Sequence, residues 1–126
     1  MSGTRILLGA IGAALGLLSC NYGGSTGYGG PPSQATVTLN TAAFSPQNRT
    51  LAAGGTVTWT WASDDHNVLS TGPLSFPSEG APPPAEVVFD SPHSYAHTFP
   101  VAGNYDYYCS FHGTPASGMR GTIMVQ

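Results

Sequence analysis

The sequence predicts an all-β fold, a Greek-key β-sandwich of about eight strands, followed from residue 35 to the end of the chain. Three observations carry that reading. Apolar and polar residues alternate in short runs, as in Val57, Trp59 and Trp61 with Thr56, Thr58 and Thr60 between them. That period of two belongs to a half-buried strand. Turn residues punctuate the runs at short intervals, and no stretch of ten or more residues shows a helical period.

Taken in order, Val37 and Leu39 share one face of the first run after Ala35, and Ala53-Gly54-Gly55 is the turn that feeds Thr56–Trp61. Val87-Val88-Phe89 is a short apolar run, Tyr95–Phe99 another, and Tyr105–Cys109 a third. Pro100-Val101-Ala102-Gly103-Asn104 connects the last two, and Thr122–Val125 closes the chain as a final strand. Short strands over about ninety residues fit one core between two sheets. Ser70 to Glu86 stands apart. It contains Pro73, Pro77 and Pro82-Pro83-Pro84 and so cannot be a central strand. It is expected to be a long solvated surface loop, partly polyproline II, whose only chemistry-bearing residues are Glu79 and Glu86.

Two segments precede the domain. Residues 1–19 have Arg5 followed by an apolar core from Ile6 to Leu18, too short for a membrane span of about 20 residues and placed where signal peptides lie. The end, Leu17-Leu18-Ser19-Cys20, resembles the lipobox of bacterial lipoproteins, and the resemblance implies that Cys20 carries a diacylglycerol as the first mature residue. An ordinary secretory leader is the alternative, and a Cys20–Cys109 disulfide a further one. Residues 20–34 contain Gly23-Gly24, Gly29-Gly30 and Pro31-Pro32, a composition that buries too little apolar surface to offset its ordering entropy. They read as a flexible tether between anchor and domain.

Charge narrows the function. Only 7% of the 126 residues are charged and none is Lys, which argues against nucleic acid as a partner, since that would need a basic stripe. Without Arg5, two Arg face six Asp and Glu. Such a mildly acidic surface favours a basic partner only weakly.

The chemistry concentrates in Tyr107 to Met119, where Cys109, His112 and Met119 share one short stretch. A further imidazole, His66, lies in Asp64-Asp65-His66-Asn67-Val68. Two His nitrogens, one Cys sulfur and a weak axial Met make up the ligand set of a blue-copper electron-transfer site. Thiolate and thioether favour Cu(I) and imidazole is comfortable with Cu(II), so the mixture serves both oxidation states. Each residue also has a plainer reading. Cys109 would serve as a buried core thiol and Met119 as core filler, with Met124 five residues later as the competing methionine. His93 and His97 read as surface or hydrogen-bonded residues outside the site. Trp59, Trp61 and Phe99 read as core aromatics. Phe111, Pro115 and Ala116 form either an apolar rim for a docking partner or simply a structured turn.

Gly54-Gly55-Thr56-Val57-Thr58-Trp59, His66-Asn67-Val68, Thr98 through His112 and Gly118-Met119-Arg120-Gly121 together resemble a plastocyanin-type cupredoxin. The resemblance runs from Ala35 to Gln126 with the elements in the family's order. It implies an eight-stranded Greek-key sandwich holding one copper ion at one end, with His66, Cys109, His112 and axial Met119 as ligands. It implies too that Asn67 and Ser110 tie the two ligand loops together around the metal. Cys109 is expected to end a strand, with His112 and Met119 on the turn that follows. The sequence departs from the family in the six residues between His112 and Met119, a longer interval than in plant plastocyanins. No acidic docking cluster like theirs is evident, and Asp64-Asp65 abuts His66 instead.

The expected function is single-electron shuttling by a monomer between protein redox partners outside the cytoplasm, lipid-anchored to a bacterial membrane and facing periplasm or cell exterior. Two other functions compete. Copper delivery or buffering without electron transfer would favour open Met- or His-rich ligation. A zinc or thiol enzyme built on Cys109 and His112 would need an orienting third group or an open coordination position.

Overall fold

The computed structural model describes residues 29–126. The leader, Cys20 and most of the tether lie outside them. Eight strands form among these residues: β1 (Gln34–Asn40), β2 (Ala43–Ser45), β3 (Asn48–Leu51), β4 (Gly55–Trp61), β5 (Leu69–Thr71), β6 (Ser94–Phe99), β7 (Gly103–Gly113) and β8 (Gly118–Val125). They build two four-stranded sheets in the orders β2-β1-β4-β6 and β3-β8-β7-β5. β1 runs parallel to β4 and β3 parallel to β8, while the other neighbours are antiparallel. The all-β Greek-key sandwich expected from the sequence is therefore the fold.

The alternation of β4 sets its register. Val57, Trp59 and Trp61 are buried while the Thr residues between them are not. On β1, Val37 lies beside Trp59 and Leu39 beside Trp61, so one slip of register would turn both pairs toward water. Trp59 is the centre of the core. It stacks on Phe76 and Tyr95 at 5.5 Å each and meets Tyr107 edge-on at 5.4 Å.

Phe76 corrects the expectation for the Pro-rich segment. β5 and β6 are edges of opposite sheets; the chain between them is mostly exposed, as expected, but it turns one buried side chain into the gap. Phe76 is buried against Trp59, Phe99, Tyr105 and Tyr107. Its amide donates to Ser70 Oγ at 3.0 Å, and Ser70 N donates to Ser78 Oγ at 2.9 Å. An antiparallel bridge joins Val68 to Glu79. Proline prevents this strap from extending either sheet, but it does not prevent an aromatic side chain from plugging the sandwich. Val87-Val88-Phe89 forms no strand either. It contributes two isolated bridges, Ala81 to Val87 and His66 to Phe89.

Candidate metal centre

His66 reaches the site on the loop after β4. Asp65 adopts a left-handed backbone with φ 62°, a conformation that Asp tolerates better than most residues, and the chain turns inward directly after it. The loop is latched from both sides: Ser91 N donates to Asp64 Oδ1 at 2.9 Å and Asp65 N to Asp90 Oδ1 at 3.3 Å.

His66 is 0% exposed, and nearly all of its polar atoms are engaged. Its amide donates to Phe89 O, and its carbonyl accepts from Phe89 N and from the Trp61 indole at 3.0 Å. Nε2 lies 2.7 Å from Ser63 Oγ. With Nδ1 offering its lone pair to a metal, Nε2–H would donate to that hydroxyl; Nδ1 faces Cys109 Sγ at 3.7 Å. Burial, and then the neighbouring His112, hold the His66 pKa below the ordinary histidine value and keep the ring neutral.

Cys109 and His112 lie on one strand, which corrects the expected turn. β7 continues past Cys109 to Gly113, with a register shift against β8 between Tyr108 and Gly113. Such an irregularity re-aims side chains. Cys109 is a buried free thiol, and its Sγ lies 3.8 Å from His112 Nδ1. Met119 lies inside β8 and is 1% exposed. Gly113 pairs with Gly118 where the two strands meet. Gly118 has φ +79°, and a Cβ there would come within 2.7 Å of His112 O, so glycine lets β8 start close beneath the histidine. Met124 lies farther along β8, half-buried and paired with Asn104 and Thr50.

One donor atom each from His66, Cys109 and His112 lies within 4.8 Å of the others. An atom in the plane of such a triangle can sit within about 2.8 Å of all three corners, a distance that small side-chain shifts close to the roughly 2.0 Å and 2.3 Å of first-row metal bonds to nitrogen and sulfur. The donor set of imidazole and thiol therefore fits a copper ion. Asn67 and Ser110 join the His66 loop to β7. Asn67 Nδ2 donates to Ser110 Oγ at 2.8 Å, and Ser110 N donates to Asn67 Oδ1 at 2.9 Å.

Residues 33–126 match the sequence model of the copper-binding proteins of the plastocyanin/azurin family. The chain belongs to that family. Copper is its cofactor. A plastocyanin of Scenedesmus fuscus is 36% identical over 92 residues, covering 66% of this chain and 86% of that one. The amicyanin of Paracoccus versutus superposes with a TM-score of 0.56 at 28% identity, covering 77% of this chain and 85% of that one. The purple cupredoxin of Nitrosopumilus maritimus, 24% identical, shares the fold with a TM-score of 0.54 over 73% of this chain and 99% of that one.

The remaining histidines of this cupredoxin stay outside the cluster. His93 stacks on Phe89 at 4.2 Å and its Nε2 lies 3.2 Å from Glu79 Oε1. His97 rests on Phe76 at 5.7 Å and meets Phe99 edge-on at 4.7 Å. Two groups at the site escaped sequence reasoning. Ser63 carried a local signal, three residues before His66. Glu86 accepts from Ser110 Oγ at 2.5 Å, although the sequence placed it in a solvated loop.

Proposed function

We propose that this cupredoxin is a one-electron carrier whose copper is held by His66 Nδ1, Cys109 Sγ and His112 Nδ1, with Met119 as the weak axial ligand. Bound copper supplies a Cu(II)/Cu(I) couple with no need of bond making elsewhere. The observation that carries the reading is the immobilisation of His66. The amide, carbonyl and Nε2 of the residue are all hydrogen-bonded, and Nδ1 faces the thiol. A donor fixed this way changes position little when the charge of the centre changes, and that is what rapid electron exchange requires. Cys109 and Met119 are shut off from solvent, which keeps water out of the coordination positions.

His112 is the one member of the cluster with partial exposure. Beside it Phe111 is 51% exposed and meets the His112 ring edge-on at 4.8 Å. Pro115 and Ala116 are exposed nearby in sequence. This apolar rim is the docking face for protein redox partners in the proposal. The protein acts outside the cytoplasm as a monomer, tethered to a bacterial membrane by lipid at Cys20. The leader and the Gly/Pro-rich tether support that anchor, because two acyl chains suffice for stable attachment where one is marginal. Mass spectrometry of the mature N-terminus tests it: an acylated Cys20 is expected, and an unmodified start at any later residue contradicts it.

A carrier and a copper-delivery protein part ways on retention. Cycled repeatedly between oxidation states beside a Cu(I) chelator, the carrier keeps its copper and its reversible couple. Transfer of Cu(I) to the chelator at each reduction would favour delivery.

A further inference from the structure

The Pro-rich strap ends on the metal centre through one carboxylate. Ser110 Oγ donates to Glu86 Oε2 at 2.5 Å and accepts from Asn67 Nδ2 at 2.8 Å. The same Asn67 amide nitrogen lies 3.0 Å from Val87 O and 3.3 Å from Ala81 O. Ala81 and Val87 pair across the base of the small loop that carries Glu86. At Gly80 a Cβ would lie 2.6 Å from Asn67 Cβ, so the strap backbone comes as close to Asn67 as glycine permits. The carboxylate, the hydroxyl and the amide thus form one chain. It ends between the residues that directly follow Cys109 and His66.

We propose that Glu86 is a positioning residue of the copper centre and sets its reduction potential through Ser110 and Asn67. The inference rests on the ligand assignment above. A hydrogen bond to a carboxylate is about twice as strong as a neutral one. The Ser110 hydroxyl, with its proton committed to Glu86, offers its lone pair to Asn67, and each bond polarises the next. Both ligand loops are held by this chain, which fixes the carboxylate at a constant distance from the metal. Reduction of Cu(II) adds one electron and lowers the positive charge of the centre by one. A fixed negative charge opposes that step and depresses the potential. At an effective dielectric of about 20, a unit charge about 10 Å away shifts the equilibrium about tenfold, equivalent to about 59 mV for a one-electron couple. Glu86 is only partly exposed, so salt screens this effect less than it would a surface charge.

The test is voltammetry of the copper-loaded full chain and of E86Q, which keeps an oxygen for Ser110 while removing the charge. The potential is expected to rise in E86Q by the equivalent of about tenfold, with the visible band retained. E86D keeps the charge and is expected to lie nearer wild type than E86Q does. In an S110A background the carboxylate loses its tether to the site, and the E86Q shift is expected to shrink several-fold. In copper-free protein, a double-mutant cycle of Glu86 and Ser110 followed by thermal unfolding is expected to show coupling. The proposal is overturned by an E86Q shift of less than twofold, by E86D matching E86Q, by an undiminished shift in the S110A background, or by no coupling in the cycle. A wild type without a reversible one-electron couple would instead overturn the carrier assignment, and this inference with it.

Discussion

Asn67 and Ser110 exchange two hydrogen bonds, Nδ2 to Oγ at 2.8 Å and backbone N to Oδ1 at 2.9 Å. Each residue directly follows a member of the His66–Cys109–His112 cluster, so the pair locks the His66 loop to strand β7. Asn67 is also fully buried. Replacing it with Ala leaves the Ser110 amide without its partner, while Val87 O and Ala81 O lose one donor each but keep their backbone bonds from Ala81 N and Val87 N. An unsatisfied buried group costs about 1–3 kcal/mol, so Asn67→Ala is expected to lose about 1–3 kcal/mol of stability and to release copper faster. Denaturant unfolding and metal exchange check both. Unchanged stability would mean that the pair is incidental.

Phe76→Ala separates core from chemistry. The ring plugs the sandwich between β5 and β6, and truncating a buried Phe costs about 3–5 kcal/mol. The melting temperature is expected to fall sharply while the copper spectrum of the folded fraction stays as in wild type. A small effect on stability would return the strap to the solvated loop that the sequence suggested.

The strap is also where sequence reasoning stopped short. Five prolines correctly ruled out a central strand there, but they said nothing about whether one aromatic among them turns inward. Glu86 and Ser110 meet across 24 residues, a pairing that no local pattern encodes. By contrast, the alternation of β4 determines both its faces and its register against β1. The ligand types announce the metal because few other chemistries need two imidazoles, a thiol and a thioether together. β2 and β3 are three and four residues long, too short for alternation to register, and went unread. The extent of β7 beyond Cys109 went unread as well, because the resemblance placed His112 on a turn after the strand.

Met119 and Met124 are told apart by position on β8. Met119 is buried where β8 begins beside His112, whereas Met124 pairs with Asn104 and Thr50 farther along the strand. Met119→Leu is expected to retain copper and most of the colour while the potential rises, since the axial sulfur is lost and the three strong donors stay. Met124→Leu is expected to leave the potential unmoved. The reverse result would reassign the axial ligand.

His97 links stability to pH. Burial lowers its pKa below the ordinary 6.5, so the folded protein holds the ring neutral while the unfolded chain protonates it. Stability from this source is fully present above about pH 6.5 and is lost as the pH falls toward the depressed folded value, because the unfolded state then binds more protons. His66 is shifted the same way and adds to the slope in copper-free protein. Copper-free His97→Gln is expected to show a shallower decline in melting temperature below pH 6.5 than wild type. An identical decline would place the linkage elsewhere.

The absorption spectrum of the Cu(II)-loaded protein, recorded beside that of Cys109→Ser, tests the central claim most directly. Cys109 Sγ faces both imidazoles at 3.7 and 3.8 Å, and a thiolate bound to Cu(II) there gives an intense visible charge-transfer band that a hydroxyl ligand cannot supply. The account predicts a strongly coloured protein whose band disappears in the variant. A colourless Cu(II) protein, with copper affinity unchanged by Cys109→Ser, would contradict it.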